Sequence, residues 1–110
     1  MDFTFDFYRN LLRTIVNAGY SFAGYEIRQA GGKICILRHD VDFDLLKAAE
    51  FAVRERQIFE DLSISGAATY FISLSGNFYN PAAKSSRMAI EQIIASGAEF
   101  AYVDKRLLKL

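Results

Sequence analysis

The sequence predicts an α/β protein in which parallel strands alternate with helices. Three observations carry this. The runs at residues 33–38 and 67–74 are rich in β-branched, aromatic and other apolar residues, as in strands buried within a sheet. Segments with apolar residues at helical spacing follow each run. Glycines punctuate the junctions, and the resulting strand–helix–strand–helix–strand order favours parallel strands joined by right-handed crossovers.

Taken in order, residues 4–17 read as a helix, with Phe7, Leu11, Ile15 and Ala18 at helical spacing, flanked by Tyr8, Leu12 and Val16. Gly19 is its expected stop. Residues 20–29 alternate weakly and suggest a short edge strand, ending at the Gly31-Gly32 turn. Residues 33–38 are expected to form a continuous strand buried on both faces. This strand runs into His39-Asp40-Val41-Asp42. A helix then starts near Asp44, a favourable N-cap, with Leu45, Ala48, Ala49, Ala52 and Arg56 near one face and Glu50, Arg54 and Glu55 largely on the others. Beyond Gly66 come a second buried strand at 67–74 and a loop at 75–81. A third helix at 83–96 has Met88, Ile93 and Ile94 as apolar members and Gly97 as its stop, and residues 99–103 form a third strand. The organisation is a lead-in at 1–32, a β/α region at 33–103 and a short basic tail at 104–110.

Composition narrows the partners. The chain has 110 residues, enough for one domain or a piece of one, and its 13 basic residues balance 13 acidic ones. No global field draws in nucleic acid or anionic lipid, so neither is expected as a partner. No apolar run approaches the ~20 residues that span a membrane, and the N-terminus has no signal-peptide pattern, so a cytoplasmic protein is expected. The single cysteine, Cys35, lies in an apolar run and reads as a small buried hydrophobe.

His39-Asp40-Val41-Asp42 is the motif that carries chemistry. Ligands of parallel α/β sheets bind at the C-terminal ends of strands, which is where Asp40 and Asp42 fall. Buried carboxylates need a cation, a pairing partner or hydrogen bonds. Where the chain leaves strand geometry, the two could converge, one on a divalent metal and the other accepting a proton from metal-bound water. The competing reading makes Asp40 or Asp42 a cap for the next helix. His39 is the only histidine; alone it fits a hydrogen-bonded structural role more readily than a metal ligand.

Ile36-Leu37-Arg38-His39-Asp40-Val41-Asp42 resembles the first motif of the polysaccharide deacetylases, in the branch carrying Arg-His-Asp-Val-Asp. The resemblance continues through Ala48-Ala49-Glu50, Glu55, Ala68-Thr69-Tyr70-Phe71, Phe78-Tyr79-Asn80 and Ile94-Ala95-Ser96-Gly97. It covers residues 33–99 and, loosely, the opening helix. It implies part of a distorted (β/α) barrel and a metal-dependent hydrolase of N-acetyl or related amide bonds in glycans. By position it gives Asp40 the role of catalytic base, Asp42 and His39 those of ligands to a zinc-like divalent metal, and Tyr79 and Asn80 contact with substrate.

The chain departs from that pattern further on. Where the family reads Gly-His-Glu-Ile-Gly-x-His, this sequence has Gly97-Ala98-Glu99-Phe100-Ala101-Tyr102-Val103, and both histidines are missing. Catalytic zinc sites usually have three protein ligands. The expectation is therefore a truncated or diverged deacetylase-like chain, inactive alone. Two other classes stand beside it. One is a non-enzymatic scaffold or split-barrel half, completed by a partner chain or by self-association through an exposed sheet edge. The other, ranked lower, is a fragment of a haloacid-dehalogenase-like phosphatase, whose nucleophile motif Asp40-Val41-Asp42 also resembles.

Overall fold

The computed structural model describes residues 4–24, 32–42, 44–73 and 79–103. Residues 25–29 of the strand expected at 20–29, Gly31 of the glycine turn, Leu74, the loop at 75–78 and the basic tail at 104–110 lie outside the described residues.

Helix α1 (Phe5–Asn17) starts at Thr4, whose Oγ1 accepts a hydrogen bond from the Phe7 amide at 3.0 Å. It ends before Gly19, whose φ of +90° is a left-handed conformation that favours glycine. The buried stripe is one residue out of step with expectation: Tyr8 and Leu12 are buried, while Phe7 and Leu11 are 46% and 44% exposed. Tyr8 turns inward because a buried hydrogen-bond partner awaits it.

Strands β1 (Tyr20–Phe22) and β2 (Lys33–Cys35) pair in parallel, with Ser21 opposite Ile34. β3 (Arg38–Val41) instead pairs in parallel with β4 (Thr69–Ser73), which pairs in parallel with β5 (Glu99–Val103). The single strand expected at 33–38 is thus two short ones. The chain passes its pairing from β1 to β4 at Ile36-Leu37: Cys35 O accepts from Ala23 N, and Leu37 O accepts from Thr69 N. Ile36 is 42% exposed at this junction, so the segment is not buried on both faces. The strand also runs on through His39 and Asp40 to Val41.

Helix α2 (Leu45–Asp61) connects β3 to β4, and α3 (Lys84–Ala95) connects β4 to β5. The cap of α2 is Asp44, which accepts from Lys47 N at 3.0 Å, so neither Asp40 nor Asp42 caps it. Its buried residues are Leu45, Ala49, Ala52, Glu55, Ile58 and Phe59. Two assignments on this helix are corrected: Arg56 is exposed, pairing with Glu60 at 3.2 Å, and Glu55 is buried. In α3, Ser86, Ala89, Ile90 and Ile93 face inward, whereas Met88 and Ile94 are 60% and 47% exposed.

The core lies between these helices and one face of the sheet. Val41, Tyr70 and Ile72 form one cluster with Ala49, Ala52 and Ile58 of α2 and Ala89, Ile90 and Ile93 of α3. A fully buried Ile72 alone contributes roughly 2–3 kcal/mol. Both crossover helices therefore cover the same face. Alternation along the strands puts Arg38, Asp40 and Phe71 on the other face. Gly66 lets β1 approach, because a Cβ there would stand 2.0 Å from the Phe22 carbonyl oxygen. No helix among the described residues is long and apolar enough to cross a membrane.

Candidate functional site

Strand β3 delivers the motif. His39 and Val41 turn toward the helix layer, and Arg38 and Asp40 turn away from it. A cleft of about 280 Å³ opens at the C-terminal end of this strand, lined by His39, Asp40, Val41, Asp42, Asp44, Lys47, Ala48, Phe51 and Tyr70. The three residues proposed from sequence as base and ligands therefore line one cavity, beside the N-terminus of α2.

Their partners differ. Asp40 Oδ1 accepts from Arg38 Nε at 2.8 Å, with both side chains about half exposed. Arg38 also lies over the Phe71 ring, 4.3 Å from its centroid, which fixes the guanidinium on the helix-free face. His39 points inward: its Nε2 is 2.7 Å from Glu55 Oε2. Its ring is packed against Tyr70 and Phe51, with centroids at 4.7 and 5.2 Å.

Glu55 is the centre of a buried polar knot. The Tyr8 hydroxyl donates to its Oε2, and the Tyr70 hydroxyl donates to Oε1 at 2.8 Å. With His39, this gives the 2%-exposed carboxylate three polar partners. Burial pushes both tyrosine hydroxyls above their usual titration range, and the negative charge of Glu55 with its hydrogen bonds pushes them further. The resemblance included Glu55 only as one of its matching positions, without a role. A signal for burial was present, because Glu55 falls on the stripe Leu45, Ala52, Phe59 at helical spacing.

Tyr79 and Asn80 do different things. The Tyr79 hydroxyl accepts from Ser73 N at 2.8 Å and donates to Val41 O, so it bridges the ends of β4 and β3 beside Asp42. Asn80 instead shapes the entry to α3: its Oδ1 accepts from Ala82 N, and its carbonyl accepts from Ala83 N. It lines a separate cleft of about 420 Å³ with Pro81, Ala82, Arg87 and Tyr102. The structure thus places His39, Asp40 and Asp42 along one cleft, with the His39 and Asp40 side chains turned to opposite faces of the strand, and leaves Asn80 apart. Cys35 is partly buried against the core, and its thiol is raised by that burial.

Carboxylate and imidazole are the right donor types for a divalent metal. Among the described residues, however, no three His, Cys, Asp or Glu side chains are gathered so as to hold one ion. The set does not fit a three-ligand catalytic zinc site. No family model, curated protein or solved structure was found to match the chain.

Proposed function

We propose that this chain is the opening β/α portion of a deacetylase-like barrel hydrolase, with the first-motif cleft formed and its ligand set incomplete. The reading gives Asp40 the position of the base and Asp42 that of the carboxylate nearest a cation. The chain alone then binds divalent ions weakly and hydrolyses little or nothing. The observation that carries it is the cleft: His39, Asp40 and Asp42 line one cavity at the C-terminal end of a parallel strand, where such folds place their chemistry. The sheet supports the barrel part of the reading. Its strands follow in chain order, β3-β4-β5, with both crossover helices on one face, as in a (β/α) barrel wall.

The test is acetate release from N-acetylated oligosaccharides by the purified chain, with and without Zn²⁺ or Mn²⁺. Release no greater than that of an Asp40→Asn variant is expected. Metal-stimulated release that disappears in Asp40→Asn refutes the inactivity.

One observation favours a second reading, a non-enzymatic half closed by another copy. On the edge strand β5, Phe100 and Tyr102 are 38% and 49% exposed, with ring centroids 5.6 Å apart. Exposed edges with apolar side chains recruit further strands or helices. Light scattering at micromolar concentration separates the readings: a clean monomer counts against the second.

A further inference from the structure

We infer that Glu55 is the positioning residue of this cleft: it accepts a hydrogen bond from His39 Nε2–H and leaves the imidazole lone pair on Nδ1, available to a ligand. The inference rests on the reading of the cleft as the functional site.

The argument is one of donors and acceptors. The Tyr8 and Tyr70 hydroxyls each have a Glu55 oxygen as acceptor, at Oε2 and Oε1. An ionised carboxylate only accepts, so the third contact, His39 Nε2 at 2.7 Å, must be made by an N–H. In the neutral imidazole the other nitrogen, Nδ1, then carries the lone pair. No hydrogen bond to Nδ1 is present among the described residues, and a quarter of the His39 side chain remains exposed on the cleft wall. A carboxylate holding the far nitrogen of a histidine is the usual way a ligating imidazole is oriented. The ligand class is a hydrogen-bond donor that enters the cleft His39 lines and accepts the imidazole lone pair.

His39 is the only histidine, so its ring nitrogens can be observed without assignment by mutation. The experiment is a long-range ¹H–¹⁵N correlation on the labelled full chain, at a pH well above the ordinary imidazole range of about 6.5. The expected result is the Nε2–H tautomer in roughly tenfold or greater excess, the bias of one charge-assisted hydrogen bond. In folded Glu55→Gln the amide can accept or donate, and the excess should collapse toward an even mixture. A purely packing role for Glu55 would leave the tautomer ratio unmoved. The Nδ1–H form in the wild-type chain, or an unchanged excess in folded Glu55→Gln, overturns the inference. If Glu55→Gln does not fold, the wild-type spectrum alone decides.

Zn²⁺ added to the same sample separates this inference from the reading beneath it. Movement or broadening of the Nδ1 signal, with Nε2 still on Glu55, supports both. A silent Nδ1 with the expected tautomer removes the cation reading and leaves the role of Glu55 standing.

Discussion

Glu55 accepts from three elements at once: α1 through Tyr8, β3 through His39 and β4 through Tyr70. Removing it strands two buried hydroxyls and an imidazole. Glu55→Ala is therefore expected to lose about 3 kcal/mol or more in urea unfolding, beyond what an exposed glutamate would lose. The tyrosines add a pH dependence whose sign follows from their raised titration. In the unfolded chain they ionise near the ordinary value of about 10, whereas in the fold they stay protonated well above it. The folded state then binds more protons, so this contribution is complete below about pH 10 and lost as pH rises beyond it. The urea midpoint should fall steeply above that pH, and less steeply in a Tyr8→Phe, Tyr70→Phe double variant. Ser73 makes an opposite prediction. Its Oγ is buried with no hydrogen-bond partner among the described residues, so Ser73→Ala should leave stability unchanged or raise it. At this scale the reading of His39 as a hydrogen-bonded structural residue agrees with its contact to Glu55, but the partner itself was not legible. Which side of a strand a residue faces depends on register, and the decisive partner, Glu55, lies 16 positions away.

Among the elements, helix starts and stops were legible because their signals are local. Thr4 and Asp44 cap through their own side chains, and Gly19 and Gly97 take positive φ. Asp44→Ala should cost about 1 kcal/mol, read as a lowered unfolding midpoint. The apolar faces of α1 and α3 were harder to place. Within the broad apolar side of α1, tertiary packing chose Tyr8 and Leu12 over Phe7 and Leu11, and in α3 it chose Ala89, Ile90 and Ile93 over Met88 and Ile94. The break at Ile36-Leu37 was invisible, because a strand that changes partners keeps the same composition. The ends of β3 and β4 are joined by Tyr79, whose hydroxyl bridges Val41 O and Ser73 N. Tyr79→Phe should lose about 1–2 kcal/mol and speed hydrogen exchange at the Ser73 amide, while the amides of α2 keep their protection.

For the whole molecule, alternation of strand and helix gave the parallel α/β class, since few other arrangements bury both kinds of segment. The same rule places ligands at the C-terminal ends of parallel strands, and the cleft lined by Asp40 and Asp42 opens there. What could not be read was convergence. Spacing puts two carboxylates near one strand end, but gathering a third donor depends on elements far apart in sequence, and the only imidazole is taken by Glu55. The proposed reading is therefore a cleft that holds a cation weakly, without a catalytic ligand set among the described residues. The most direct test is Mn²⁺ added below stoichiometry to the ¹⁵N-labelled chain, with amide line broadening mapped residue by residue. Selective broadening at Asp40, Val41 and Asp42, lost in Asp42→Asn, is the predicted result. Broadening that avoids these amides, or that persists unchanged in Asp42→Asn, contradicts the account.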